Sequence, residues 1–555
     1  MKKNLQILVI LLLYQTALNA QNVFQKWNNC FKDTGMGYSV PTDMITDPNG
    51  NTYITGYFDK PGADFDKEHF FLLKLNTDGE QQWINYYPAN AETNDKTSFD
   101  IGRALVLDKQ NNIYVAGDRF DTLCDICTIP IKFWDLFVIK YNPQGGVVWL
   151  NRYDGPDDTH QSATEISIDK SGSLLVVGSE GKYNKKTSQT DSKLLIEKIN
   201  KNGQTAWIRK VKSTVGNAIS SDGDGNVLVA GASNNFNVYS LQKPLVTKYS
   251  SKGDSLWTAV FDDNNKNGRL FFIGTDASGN IYVNGQTDTA AFVNNPRIIT
   301  IKYNPAGNLL WARKEIASTN TIPHLYGSFL VDAKGKSYVT GSLAPYHVRR
   351  NWITSVYENN GDLSWTAQYA DEFEGNDKPA DLVTDTAGNV YITGYSYNNK
   401  FGYVYTTIKY NAHGIQEWLK TYHNTEHNSN AFSNAIALDG IGNVYVTGSA
   451  TDGLCTLKYG PKNASLNKDA IEENSILIFP NPVSNILHIK FEKRVTGKLD
   501  YKIFNLDGSL FSEGILSAQS PQDAFDINVQ NLKKGIHLSK INMGEKMYKV
   551  TFIKD

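Results

Sequence analysis

Four cysteines and nine histidines are the residues of this chain with the plainest capacity for chemistry. Cys124 and Cys127, in "LCDIC", have the spacing of a redox dithiol. Such dithiols open a helix, and no helical period surrounds this pair, so a disulfide that tightens a long loop is the expectation. "HNTEH", His423 to His427, has metal-ligand spacing only if it is helical, and it lies in an Asn-rich stretch that reads as solvated loop. "DGDGN", Asp222 to Asn226, alternates oxygen ligands but lacks the distal glutamate of a calcium loop. No HExxH, GxSxG or phosphate-cradling glycine loop occurs. A quinone-dependent site would need calcium ligands and, in the alcohol-oxidising branch, adjacent cysteines, whereas Cys124 and Cys127 are two residues apart. The expectation is no cofactor, no metal and no catalytic residue.

The elements that position these residues are set by repetition. A phrase of Asp, two residues, Gly-Asn or a close variant of it, and a short apolar strand begins at Asp47, Asp108, Asp169, Asp222, Asp276, Asp332, Asp385 and Asp439. Its spacing of 53 to 61 residues suits about four short strands with turns. A second phrase, such as "KYNPAGNLLW", follows the first seven copies and ends at Trp83, Trp149, Trp207, Trp257, Trp311, Trp365 and Trp418. The eighth copy stops at "LKYG", and its missing tryptophan stands at the other end of the chain, as Trp27 in "FQKWNNCF".

A permuted last repeat has a physical reason. An open array of antiparallel blades leaves sheet edges, and a ring removes them when the N-terminal strand completes the last sheet. The fold class is therefore all-β: an eight-bladed β-propeller over residues 21–460, with seven blades plus a stray repeat as the alternative. "DxxGN" and "NxxG" read as hairpin turns, with Asp accepting from backbone N–H groups, and each Trp as a wedge against the next blade. Cys30 and Cys455 fall on the two strands that close the ring. Copying the hairpin register of blade 7 leaves them about two positions out of opposition, so a closing disulfide between them needs an intervening bulge.

"DTAGNVYITG" and "DASGNIYVNG" resemble the bacterial β-propeller repeat called SBBP, found in exported proteins, and "KYNPAGNLLW" is similar to the docking repeat of quinoprotein dehydrogenases. Both resemblances imply blades rather than a site. After a polar linker at 461–474, residues 475–555 read as short strands of a small β-sandwich. "FPNPVSN", "IFNLDG", "NLKKG" and "KVTFIKD" resemble the type A C-terminal sorting domain of the type IX secretion system of Bacteroidota, with Ile536-His537 in place of the usual aromatic. That resemblance implies the type IX machinery as partner and delivery to the cell surface or medium.

Residues 1–20 read as a secretory signal peptide, with Lys2 and Lys3 before an apolar run too short to span a bilayer, so no transmembrane anchor is expected. With 55 basic against 57 acidic residues, the chain has no electrostatic footprint for nucleic acid. The two repeated turns lie on one face of the ring, and the loops of varied length lie on the other, where binding is expected. Its candidates are Trp134, Tyr346, Arg349 and Arg350, because aromatic rings beside polar groups suit an unknown glycan or protein ligand. Trp352 aligns with core positions. The functional expectation is a non-catalytic surface binding or adhesion protein. The alternatives are a polysaccharide-degrading or quinone-dependent enzyme, favoured by three or more carboxylates converging on the axis, and a structural surface component.

Overall fold

The computed structural model describes residues 23–31, 39–59, 68–86, 99–122, 132–156, 159–184, 189–212, 214–233, 242–262, 267–290, 293–314, 321–324, 327–345, 350–371, 375–423, 430–450, 453–461, 476–479, 483–505, 510–543 and 546–555. Residues 1–20, Cys124, Cys127, Tyr346, Arg349 and His427 lie outside the described residues. The chain divides into two compact units, Met1–Lys462 and Asn463–Asp555.

Among the described residues, the first unit holds eight antiparallel sheets. Blades 1 to 7 occupy 39–86, 99–153, 160–212, 214–260, 268–314, 321–369 and 378–422. Each runs in chain order from an inner to an outer strand, and in blade 6 the inner strand is split into Thr321–His324 and Phe329–Val331. The eighth sheet combines Ala431–Leu438, Val444–Ala450 and Gly453–Pro461 with Val23–Phe31 as its outer strand. Thr46 of blade 1 donates to the Leu438 carbonyl of blade 8 at 2.6 Å, so the first and last inner strands meet.

The repeated residues are consumed in building. Asp108 Oδ1 accepts from the N–H groups of Gln110 and Asn112, and Oδ2 from the Asn112 amide and the Tyr114 hydroxyl. Asp222 Oδ1 likewise accepts from the N–H groups of Asp224 and Asn226, and its Oδ2 accepts from the Asn226 amide and pairs with Lys248 at 2.8 Å. Each outer tryptophan from blade 8 round to blade 6 docks on the next blade. Trp27 Nε1 donates to Thr77 O at 2.9 Å, and its ring lies where a Cβ on Gly79 would stand, 2.6 Å away. Gly79 also has φ +82°, a conformation that L side chains rarely adopt. Blade 7 has no such turn ahead of it, so Trp418 packs on Tyr459 and is buried.

A second device corrects the register expected for the cysteines. Every outer hairpin loops out the residue just before its tryptophan, so that in blade 7 Trp418 pairs with Lys409 while Gln416 pairs with Tyr410. The closing pair has the same bulge, between Gln25 and Trp27. With that residue looped out, Cys30 stands opposite Cys455, and the two form a disulfide across 425 residues.

The second unit is one hydrogen-bonded sheet of five strands. Its two long strands, Ile486–Asn505 and Leu510–Asn528, are broken by register shifts between Lys490 and Gly497. Leu487, Ile489 and Phe525 from one half share a single core with Leu499, Ile503 and Ile541 from the other, so the folded-over sheet forms two layers.

Candidate functional site

The inner strands carry the carboxylates that would mark an axial active site. Asp43, Glu165 and Asp381 occupy equivalent positions in blades 1, 3 and 7, beside a bulge. Burial pushes the Asp43 carboxyl up to about 7, against the backbone N–H of Leu105 and with the charge of Asp381 adding to the rise. Burial likewise pushes Glu165 up to about 8, and Asp43 contributes to it. Burial raises Asp381 too. Each reaches across to the next blade: Asp43 accepts from Leu105 N–H at 2.8 Å, Glu165 from Ile219 N–H at 2.8 Å and Asp381 from Ile436 N–H at 3.1 Å. The matching positions in those next blades are Ala104, Ala218 and Ala435, which leave room for the visiting carboxyl. Both oxygens of Asp43 and of Asp381 already accept backbone N–H groups. These acids clamp blade to blade. Among the described residues, no group of three or more His, Cys, Asp or Glu is placed to hold a metal.

The variable face holds a different arrangement along blade 7, between blades 6 and 8. Arg350, half-buried, accepts through its carbonyl from Asp377 N–H at 2.8 Å. Asp377 is buried and its Oδ2 accepts from Asp371 N–H at 3.0 Å. Burial first, and then the neighbouring Asp371 carboxylate, push Asp377 up to about 7. Lys378 is pushed down by burial and by the charge of Arg350. Beside these groups Tyr403 is ringed by Tyr395, Tyr397 and Phe432, with centroids 5.2, 5.4 and 5.3 Å away. Phe401 stacks on His423 at 3.6 Å, under the Lys400 ammonium. His423 is thus an aromatic neighbour of Phe401 here.

Trp134 lies on the same face, half-buried in a cleft of about 230 Å³ between blades 2 and 3. Trp352 is core, 1% exposed. On the uniform face, hollows of about 1050 and 600 Å³ lie between the repeated turns of blades 2 and 3 and of blades 3 to 5. Their walls are turn residues such as Asp169, Asp222 and Asp276, whose carboxylates are engaged by their own turns. Sequence reasoning missed Asp43, Glu165 and Asp381, which sit in inner strands with no repeated phrase. It also missed Asp377, whose partner Asp371 lies in an inter-blade connection.

Residues 477–555 match the family model described as a secretion system C-terminal sorting domain, and residues 365–407 match the β-propeller repeat model SBBP. The chain is an exported β-propeller with a sorting tail. This exported propeller is placed at the cell surface or in the medium by that tail. Among the described residues, no helix is long and apolar enough to cross a membrane.

The propeller is 20% identical over 415 residues to an uncharacterised WD repeat-containing protein of Acanthamoeba polyphaga mimivirus, covering 60% of this chain and 27% of that protein. The chain thus spans about a quarter of that relative's length. Among solved structures it overlaps a PL25 ulvan lyase with TM-score 0.42 and 12% identity, covering 78% of this chain and 96% of the lyase. A Synechocystis apocarotenoid oxygenase overlaps with TM-score 0.37 and 11% identity, covering 74% and 99%. Overlaps of that size say nothing about what this propeller binds or cleaves.

Proposed function

We propose that the exported propeller is a surface binding or adhesion module that grips glycan or protein chains through its variable face, without catalysis. The observation that carries this reading is the rim of blade 7, where Tyr403 has three aromatic neighbours, one of them Phe432 of blade 8 and another, Tyr395, paired in the sheet with Lys378; Lys378 and Asp377 are linked in turn to Arg350 of blade 6. Aromatic faces stack on apolar sugar or peptide surfaces, and convergent charged groups fix orientation. The axial carboxylates that would support an enzyme are engaged in holding neighbouring blades together.

The full chain, labelled and applied to arrays of host and algal glycans and of immobilised matrix proteins, tests the reading. Binding that falls at least tenfold in Tyr403→Ala and in Arg350→Ala is the expected result. No binding to either array, or binding untouched by both substitutions, overturns it.

A further inference from the structure

The cleft beside Trp134 has the size, the aromatic platform and an unanswered acceptor that a single sugar ring would fill. Its volume of about 230 Å³ is below the roughly 300 to 1,000 Å³ of pockets that take drug-sized ligands. A cleft of that size matches a single sugar ring.

Trp134 pairs in the sheet with the residue three beyond the closing glycine Gly117, and Tyr403 pairs with the residue three beyond the closing glycine Gly394. The two aromatics therefore hold the same register position, at the variable-face end of the third strand. Eight of the ten tryptophans serve the repeat and Trp352 is core, which leaves Trp134 as the one outside both.

Gln161, on the opposite wall, is 1% exposed. Its Nε2 donates to Thr159 Oγ1 at 2.6 Å, while its Oε1 has no hydrogen-bond partner among the described residues. An unanswered buried acceptor keeps the cost of its lost hydration. Blade construction does not demand it, since the same register position is Gly268 in blade 5 and Ala431 in blade 8. A ligand that brings a hydroxyl donor to that oxygen would recover the cost.

The remaining walls are polar but balanced in charge. Arg103, the bulged residue of its strand, pairs through Nε with Asp118 at 2.8 Å, and Ser162 donates to the same carboxylate at 3.0 Å. Burial pushes the His160 imidazole pKa down, so that it is neutral at pH 7. A carboxylated or phosphorylated ligand would find no uncompensated cation, whereas the hydroxyls of a neutral sugar both donate and accept.

We propose that this cleft seats one neutral pyranose, stacked on Trp134 and hydrogen-bonded to Gln161 Oε1. The proposal rests on the reading of the variable face as a binding surface and names one site on it, with its ligand class.

Saturation-transfer NMR on the full chain with the methyl glycosides of glucose, galactose, mannose and xylose tests it. At least one glycoside should receive saturation. Its affinity should fall at least tenfold in Trp134→Ala and about tenfold in Gln161→Leu, and should be partly kept in Trp134→Phe. Thermal melts of each variant confirm that it is folded. No transfer to any of the four, or affinity within twofold of the parent in both Trp134→Ala and Gln161→Leu, overturns the proposal. If array binding is still lost in Tyr403→Ala, the reading of the face survives that failure.

Discussion

Replacing Cys30 and Cys455 by alanine removes the covalent closure of the ring and leaves the hydrogen-bonded one. The bond joins residues 425 apart. On the chain-entropy relation, a cross-link closing a loop of that size restrains the unfolded chain by about 6 kcal/mol at 25 °C. Residual structure in the unfolded chain brings the net effect to roughly 3–5 kcal/mol. With an unfolding entropy of roughly 2 cal/mol/K per residue, a ring of this length should melt about 3–5 °C lower without the bond. The effect should concentrate at one strand. Val23–Phe31 would then be held by its pairing with Gly453–Pro461 and by the docking of Trp27 and Asn29 on the Thr77–Gly79 turn. Calorimetry and hydrogen exchange on the parent, oxidised and reduced, and on the double variant read both effects. A melting temperature within about 1 °C of the parent, together with unchanged exchange in Val23–Phe31, would refute the reasoning that the long loop gives this bond its weight.

The inner clamps make stability depend on pH in an unusual sense. Asp43 and Glu165 titrate near 7 and 8 in the folded chain, above the roughly 3.9 and 4.3 of exposed carboxyls. Between about pH 4 and 8 the folded chain holds protons that the unfolded chain has released, so stability is full below about pH 4 and falls as pH rises toward 8. The turn carboxylates Asp108, Asp169 and Asp222, held below the usual range by hydrogen bonds that outweigh burial, act only at lower pH. Urea midpoints at pH 5, 6.5 and 8 should decline in the parent and decline less steeply in Asp43→Asn/Glu165→Gln, where Asp377 and Asp381 remain; a midpoint that rises with pH contradicts the assignment. Gly79→Ala should cost the roughly 1 kcal/mol of a left-handed alanine plus about 1–3 kcal/mol for the clash with the Trp27 ring. Gly172→Ala, at φ +79° with nothing within 4 Å of the new Cβ, should cost the backbone share alone, and equal losses at the two sites would show that the tryptophan does not dock as described.

Residues that act through near neighbours are legible in the sequence. The "DxxGN" turn closes on itself within six positions, from Asp276 to Tyr282, so its chemistry repeats wherever its letters do. The tryptophan wedge is legible for a similar reason, since its partner is the same turn one repeat later. The cysteines stand in direct opposition where the hairpin pattern predicts an offset, in part because the bulged residue before each tryptophan, which shifts the pairing by one, leaves no mark of its own in the sequence. Asp43, Glu165 and Asp381 look like ordinary polar residues in variable strands. Their raised pKa values come from burial that exists only once inner strands stand side by side.

What the sequence by itself determined is the repeating unit, its permuted end, the sorting tail and the face on which loops vary. All of these depend on short-range pattern. Only the tertiary structure decided which residues meet: Cys30 with Cys455, Asp43 with Leu105 of the next blade, Gln161 with the cleft of Trp134. Those meetings depend on bulges and on the rotation from one blade to the next, which bring Thr42 to the Gly102 carbonyl and Thr46 to that of Leu438 at hydrogen-bond distance. No local spacing encodes that geometry.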